Sequence, residues 1–147
     1  MNDFAIVDYF DVNHREQVVA LWDAVFGYKE PHNRPGLAID KKLAIDDGLL
    51  FVAVSGATVI GTVMAGYDGH RGWIYSVAVS PTHRRQNIGS RLVRFAEAAL
   101  VQKGCMKINL QILEGNEPVT DFYASLGYVV EKRINMGKRI EANVPKP

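Results

Sequence analysis

A single cysteine, Cys105, is all the thiol this chain carries, so no internal disulfide can staple it. No apolar run is long enough to cross a bilayer, and the amino terminus shows no signal-peptide pattern, which sets the expectation of a cytoplasmic protein without membrane contact. Neither sign of charge is in excess: 17 Lys and Arg against 16 Asp and Glu leave a net charge of +1. A general nucleic-acid binder would need a dominant basic surface, and this composition excludes it. The four histidines are scattered without ligand spacings, so no metal site is expected. No repeat, linker or low-complexity stretch interrupts the chain. With 147 residues, 48% of them hydrophobic and 22% charged, the expectation is one compact domain over residues 1–147.

What is present is an alternation of strand-like and helix-like segments. Ala5 to Tyr9 reads as a strand, and Asn13 to Glu16 has the form of a capping box before a helix striped by Val18, Leu21, Trp22, Val25 and Phe26. A proline-containing loop at Pro31 to Pro35 leads to a less regular helix, Leu37 to Asp46, whose weak periodicity suggests a lid-like element. Leu50 to Val54, Thr58 to Tyr67 and Trp73 to Val79 read as an antiparallel meander turning at Ser55-Gly56 and Asp68-Gly69. A helix from Gly89 to Gln102 should face inward with Ile88, Leu92, Phe95, Ala96 and Ala99. A strand Lys107 to Leu113, a helix opened by Asn116 and a last strand Tyr128 to Gly137 complete the order. The fold class is α/β (α+β), a single mixed sheet of about six or seven strands flanked by about four helices.

The stretch that carries chemistry is Val77 to Arg94, VAVSPTHRRQNIGSRLVR. A strand that breaks at Pro81, a basic turn and an amphipathic helix together build an anion site. The first helical N–H groups have no intrahelical acceptors and carry the positive end of the helix dipole. Gly89 allows the backbone to approach a ligand closely, and Arg84 and Arg85 add charge suited to phosphate oxygens. No Gly-Lys-Ser/Thr follows, which excludes a P-loop, and the glycine set of a dinucleotide fingerprint is missing.

This turn resembles the pyrophosphate loop of the GNAT acyltransferase superfamily, Arg/Gln-x-x-Gly-x-Gly/Ala, laid over Arg84, Arg85, Gln86, Asn87, Ile88 and Gly89. Asn87 stands where the family usually has its first glycine, a mild change because asparagine tolerates unusual backbone angles. Asn116 to Tyr128, NEPVTDFYASLGY, is similar to the family's C-terminal motif: Asn116 as N-cap, Pro118 in the first turn, Val119, Phe122, Tyr123 and Leu126 on one face, and Gly127 as the stop. Gly61 to Gly72, Gly104 to Ile108 and Met136 to Ile140 carry a closer likeness to small bacterial YpeA-type members, with ribosomal-protein acetyltransferases of the RimI kind more distant. The resemblance runs from the first strand to about Lys138, and it transfers fold and cofactor more safely than substrate.

The resemblance implies an acetyl-CoA-dependent N-acetyltransferase working by direct attack in a ternary complex, without a metal. The pyrophosphate would rest on Arg84, Arg85, Gln86, Asn87, Ile88, Gly89 and Ser90. The pantetheine would pair like an added strand with Val77 and Val79, with a backbone N–H near Val77 or Ala78 as oxyanion donor. Tyr123 would be the general acid, and Asn116 would hold the pantetheine arm or a bridging water.

Many relatives place a glutamate on the strand before the phosphate turn, but Ile74, Tyr75 and Ser76 supply no carboxylate. A water held by Tyr75, Ser76 or backbone carbonyls, or alternatively Asp68, would have to take the amine's proton. That gap favours a small amine or a peptide α-amine over a lysine side chain as acceptor. Tyr28 and Arg34, in the loop after the first helix, would meet the acceptor, whereas Trp22 and Phe26 belong to the core. Cys105 reads as a small buried residue. A monomer and a homodimer both remain open, and the rival function is a non-catalytic module that binds or senses acyl-CoA.

Overall fold

In the computed structural model, residues 3–27 and 33–140 are described, and they fall into two compact units, one up to Leu110 and one from Gln111 onward. The first unit holds β1 (Ala5–Asp8), α1 (Asp11–Phe26), α2 (Pro35–Ile45), β2 (Leu50–Ser55), β3 (Thr58–Tyr67), β4 (Gly72–Val79), a 3-10 turn (Pro81–His83), α3 (Ile88–Gln102) and β5 (Ile108–Asn109). The strands lie side by side in chain order, antiparallel from β1 to β4, with β5 parallel to β4. A parallel neighbour needs a crossover, and α3 provides it.

Both faces of the sheet are covered, which explains why β2 reads as an unbroken apolar run instead of an alternating one. Phe51 and Ala53 point to α3 and join Ile88, Leu92, Ala96 and Leu100 in one cluster. Leu50 and Val52 point the other way and join Val18, Leu21 and Trp22 of α1 and Ile39 of α2. Each such side chain withdrawn completely from water contributes roughly 1.5–3 kcal/mol. Ile39 is fully buried and Arg15 reaches Asp40 at 2.7 Å, so α2 is anchored to α1 by packing as well as by charge.

Several boundaries differ from the sequence expectation for local reasons. Helix α1 starts at Asp11, inside which the Asn13 to Glu16 pattern lies; the Phe10 N–H donates to His14 Nδ1 at 2.9 Å. Partial burial lowers the His14 pKa, which keeps that nitrogen an acceptor. The inward row of α3 is Ile88, Leu92, Val93, Ala96 and Leu100. Phe95 stands at its margin, edge-on to Phe51 with ring centroids 4.9 Å apart.

The sheet has five strands among the described residues, fewer than expected. Of the segment Lys107 to Leu113 only Ile108 and Asn109 pair, with Gly72 and Trp73. Beyond Trp73 a bulge bends β4, and bulges end pairing in this way. Residues 128–137 form no ladder. Their β-branched and aromatic side chains favour a pleated surface, but a strand also needs a partner edge.

The second unit contains α4 (Glu117–Ser125). Asn116 occupies its N-cap position, with its C=O accepting from the N–H groups of Val119 and Thr120. At the other end Gly127, at φ +96°, closes a double turn in which the Tyr128 N–H donates to Tyr123 O and the Gly127 N–H to Ala124 O. That is the stop that the sequence predicts at Gly127.

Candidate active site

Between β4 and α3 the backbone adopts a geometry that a regular loop avoids. Arg84 is extended, Arg85 lies at φ +64° and Asn87 at φ +61°. Left-handed residues alternating with others can turn successive N–H groups into one concavity, the form of backbone that suits an anion. Asn87 is the N-cap of α3 but its side chain caps nothing, so the amides of Ile88, Gly89 and Ser90 receive no side-chain cap. Its carbonyl instead accepts from the Ser90 hydroxyl and the Arg91 N–H, both at 3.1 Å. Arg84 and Arg85 are exposed and in no ion pair among the described residues. Arg91 is turned elsewhere, 4.2 Å above the Phe4 ring.

Preceding the turn, β4 carries a second irregularity. Tyr75 is opposite Met64 and Ala78 opposite Thr62, so Ser76 and Val77 together face one residue of β3. Ser76 sits at φ +51°. Past the bulge the Ser80 N–H donates to Ile60 O at 2.8 Å, and the alternation of an antiparallel pair then directs the Val79 N–H and C=O away from β3. No β5 residue pairs with this part of β4. The side chains of Ala78 and Ile88 are core; Ile88 keeps its backbone for a ligand, whereas the same alternation turns the Ala78 N–H and C=O toward β3, against the expectation for that residue.

The remaining candidates divide clearly. Tyr75 is half-exposed, and burial together with the Asp68 charge raises its pKa, which makes it a poorer source of phenolate. Asp68 is bound into its own turn, accepting from the His70 and Arg71 N–H groups at 2.7 Å. Those bonds lower its pKa, so Asp68 is a weaker base than an ordinary carboxylate. The Ser76 carbonyl is already occupied by the Thr62 hydroxyl. Arg34 is exposed at the N-cap of α2 and its C=O accepts from Ala38. Tyr28 lies outside the described residues. Cys105 is buried and its thiol donates to Lys107 O at 3.2 Å, as befits a structural residue.

In the second unit, Tyr123 is 8% exposed and stacks edge-on with Phe122 and Tyr128. Burial pushes its pKa up to about 12, so the phenol keeps its proton across the neutral range. The Asn116 carboxamide is exposed and does not cap α4, which leaves it available to a ligand.

Sequence reasoning missed the polar contact beneath the bulge. Trp22 Nε1–H donates to Thr62 Oγ1 at 2.8 Å, and Thr62 Oγ1 donates to Ser76 O at 2.9 Å. A core tryptophan usually finds an acceptor for its N–H, and that was the available signal.

The acetyltransferase (GNAT) family profile matches residues 15–128, across both units. An acetyltransferase of Yersinia pestis (strain Pestoides F) is 36% identical over 131 residues, 89% of this chain and 92% of that protein. The chain belongs to the acetyltransferase (GNAT) family. Among solved structures, the aminoglycoside N-acetyltransferase AAC(6')-Iy in complex with CoA superposes with a TM-score of 0.76 at 17% identity, covering 94% of this chain and 95% of that one. The NatC complex bound to Gag peptide and CoA gives a TM-score of 0.76 at 23% identity, over 90% and 89% of the two chains. Both share the fold. Among the described residues no helix is long and apolar enough to cross a membrane.

Proposed function

We propose that this chain is a cytoplasmic, acetyl-CoA-dependent N-acetyltransferase that moves an acetyl group to a primary amine by direct attack. The observation that carries the reading is the nest at Arg85 and Asn87 on the side-chain-uncapped N-terminus of α3. A pyrophosphate matches it in size and charge, with Arg84 and Arg85 free to clamp the oxygens. The bulged edge of β4 fits the rest of the donor: an amide-bearing pantetheine can add to Val77 and Val79 as a strand would.

The chemistry assigned to the chain is modest. The amine nitrogen attacks the thioester carbonyl carbon, the C–S bond breaks, Tyr123 gives its proton to the leaving thiolate, and the proton shed by the nitrogen passes to water, from which the phenolate is reprotonated. A backbone N–H at Val77 stabilises the oxyanion, since that of Ala78 is turned toward β3, and Asn116 holds the arm or a bridging water. Tyr123 is the general acid by family resemblance. Its burial suits the role, because a site that raises the phenol pKa also makes a desolvated thiolate more basic.

Asp68 and Tyr75 are both poor bases, and Ile74 to Ser76 contain no carboxylate. The acceptor should therefore arrive largely neutral. An α-amino group, with a pKa of about 8, or a small amine of low pKa meets that need better than a lysine of pKa about 10.4. Arg34 and Tyr75 stand as acceptor contacts on this reading.

Calorimetric titration with acetyl-CoA, followed by thiol release with a panel of small amines, α-amino peptides and lysine peptides, tests it. Binding with acceptor-dependent release, greatest for amines of low pKa, is the expected result. Binding without release for any amine would point to the acyl-CoA sensing module, and absence of binding would overturn the reading.

A further inference from the structure

Thr62 is the one serine, threonine or charged residue that is fully buried among the described residues, and Trp22 beside it is fully buried too. The direction of the hydrogen bonds around it follows from chemistry alone. An indole N–H can only donate, so Thr62 Oγ1 must accept from Trp22, and its single proton is left for the Ser76 carbonyl. The contact thus runs from helix α1, through β3, to the bulge of β4.

Ser76 needs such support. It holds φ +51° without being glycine, and neither Ser76 nor Val77 has a register partner on β3. Backbone in a sparsely populated region persists only where its surroundings over-determine it. Thr62 is fully buried, so no water competes for its hydroxyl.

We infer that Trp22 and Thr62 are positioning residues for donor binding: through the Ser76 carbonyl they hold the β4 bulge in the form that aims the Val77–Val79 backbone at the pantetheine arm. This rests on the reading that acetyl-CoA lies along that edge. The phosphate nest is built by other residues, Arg84 to Ser90, so the two halves of the donor should respond differently when the relay is cut.

The experiment compares two probes by calorimetry, CoA and adenosine 3′,5′-bisphosphate, which has no pantetheine arm. Thr62→Val keeps the shape but loses the hydroxyl; it should weaken CoA by about tenfold and leave the bisphosphate within about twofold, while Thr62→Ser restores CoA binding. Trp22→Phe frees the hydroxyl from its donor and should weaken CoA selectively by about threefold, which keeps a second test if Thr62→Val folds poorly. Unchanged CoA affinity in Thr62→Val, equal weakening of both probes, or failure of Thr62→Ser to restore binding would each overturn the inference. Wild-type protein that binds no CoA would instead remove the acetyltransferase reading, and this inference with it.

Discussion

Gly61 of β3 lies so close to Leu92 of α3 that a Cβ placed on it would stand 2.9 Å from Leu92 Cδ1, and only 3.0 Å from the Ala78 carbonyl. The helix that presents the anion nest is seated on the sheet through this contact. Gly72 repeats the arrangement at the other end of α3, where a Cβ would meet Cys105 Sγ at 2.7 Å and Leu100 Cδ1 at 2.9 Å.

Gly61→Ala should therefore destabilise the protein by about 1–3 kcal/mol, because a backbone carbonyl cannot yield as a flexible side chain can. Gly36→Ala is the control: its Cβ would meet nothing within 4 Å, and a helical alanine should be neutral or stabilising by up to about 1 kcal/mol. Urea denaturation of both variants measures the difference. Equal stabilities would mean that α3 shifts freely on the sheet.

At the nest, Asn87→Gly should keep CoA affinity, since glycine adopts φ +61° without strain, whereas Asn87→Val should cost about 1–2 kcal/mol of stability and weaken CoA. Arg84→Ala removes an unpaired guanidinium and should weaken CoA by about tenfold. Binding titrations decide this, and full affinity in both Asn87→Val and Arg84→Ala would place the phosphates elsewhere.

For Tyr123 the expectations are kinetic and thermodynamic. Tyr123→Phe should lower kcat by roughly 10²–10⁴ with CoA affinity nearly unchanged. The folded pKa of about 12 lies above the unfolded value, so the proton is held more tightly in the folded state. The resulting stability is complete below pH 10 and is lost as pH rises through 12, a change of roughly 2–3 kcal/mol. Denaturation curves from pH 8 to 12 should show that loss reduced in Tyr123→Phe relative to wild type. Parallel curves would mean that Tyr123 is not buried as a neutral phenol.

Much of this was legible because it is local. The Arg84 to Gly89 turn, the Gly127 stop and the stripe of α1 depend on residues a few positions apart, where turn chemistry and helical period act directly. Other features were hidden because they depend on partners distant in the chain. Phe95 looks like core by spacing, yet tertiary packing gives that row to Val93 and Leu100. Asn116 reads as a capping side chain, but it supplies only its carbonyl to the first turn. Residues 128–137 have strand-forming side chains and no ladder.

By itself the sequence determined the family, the element order up to α4 and a basic turn between β4 and α3, because motif spacing, periodicity and backbone preference are written in neighbouring residues. The tertiary structure alone decided that Ser76 is left-handed, that Thr62 is its anchor and that Trp22 stands behind both. Those three are separated by 40 and 14 positions and meet only when α1 packs onto the sheet. A hydrogen bond of that span leaves no local pattern, since its geometry exists only once the core has closed around it.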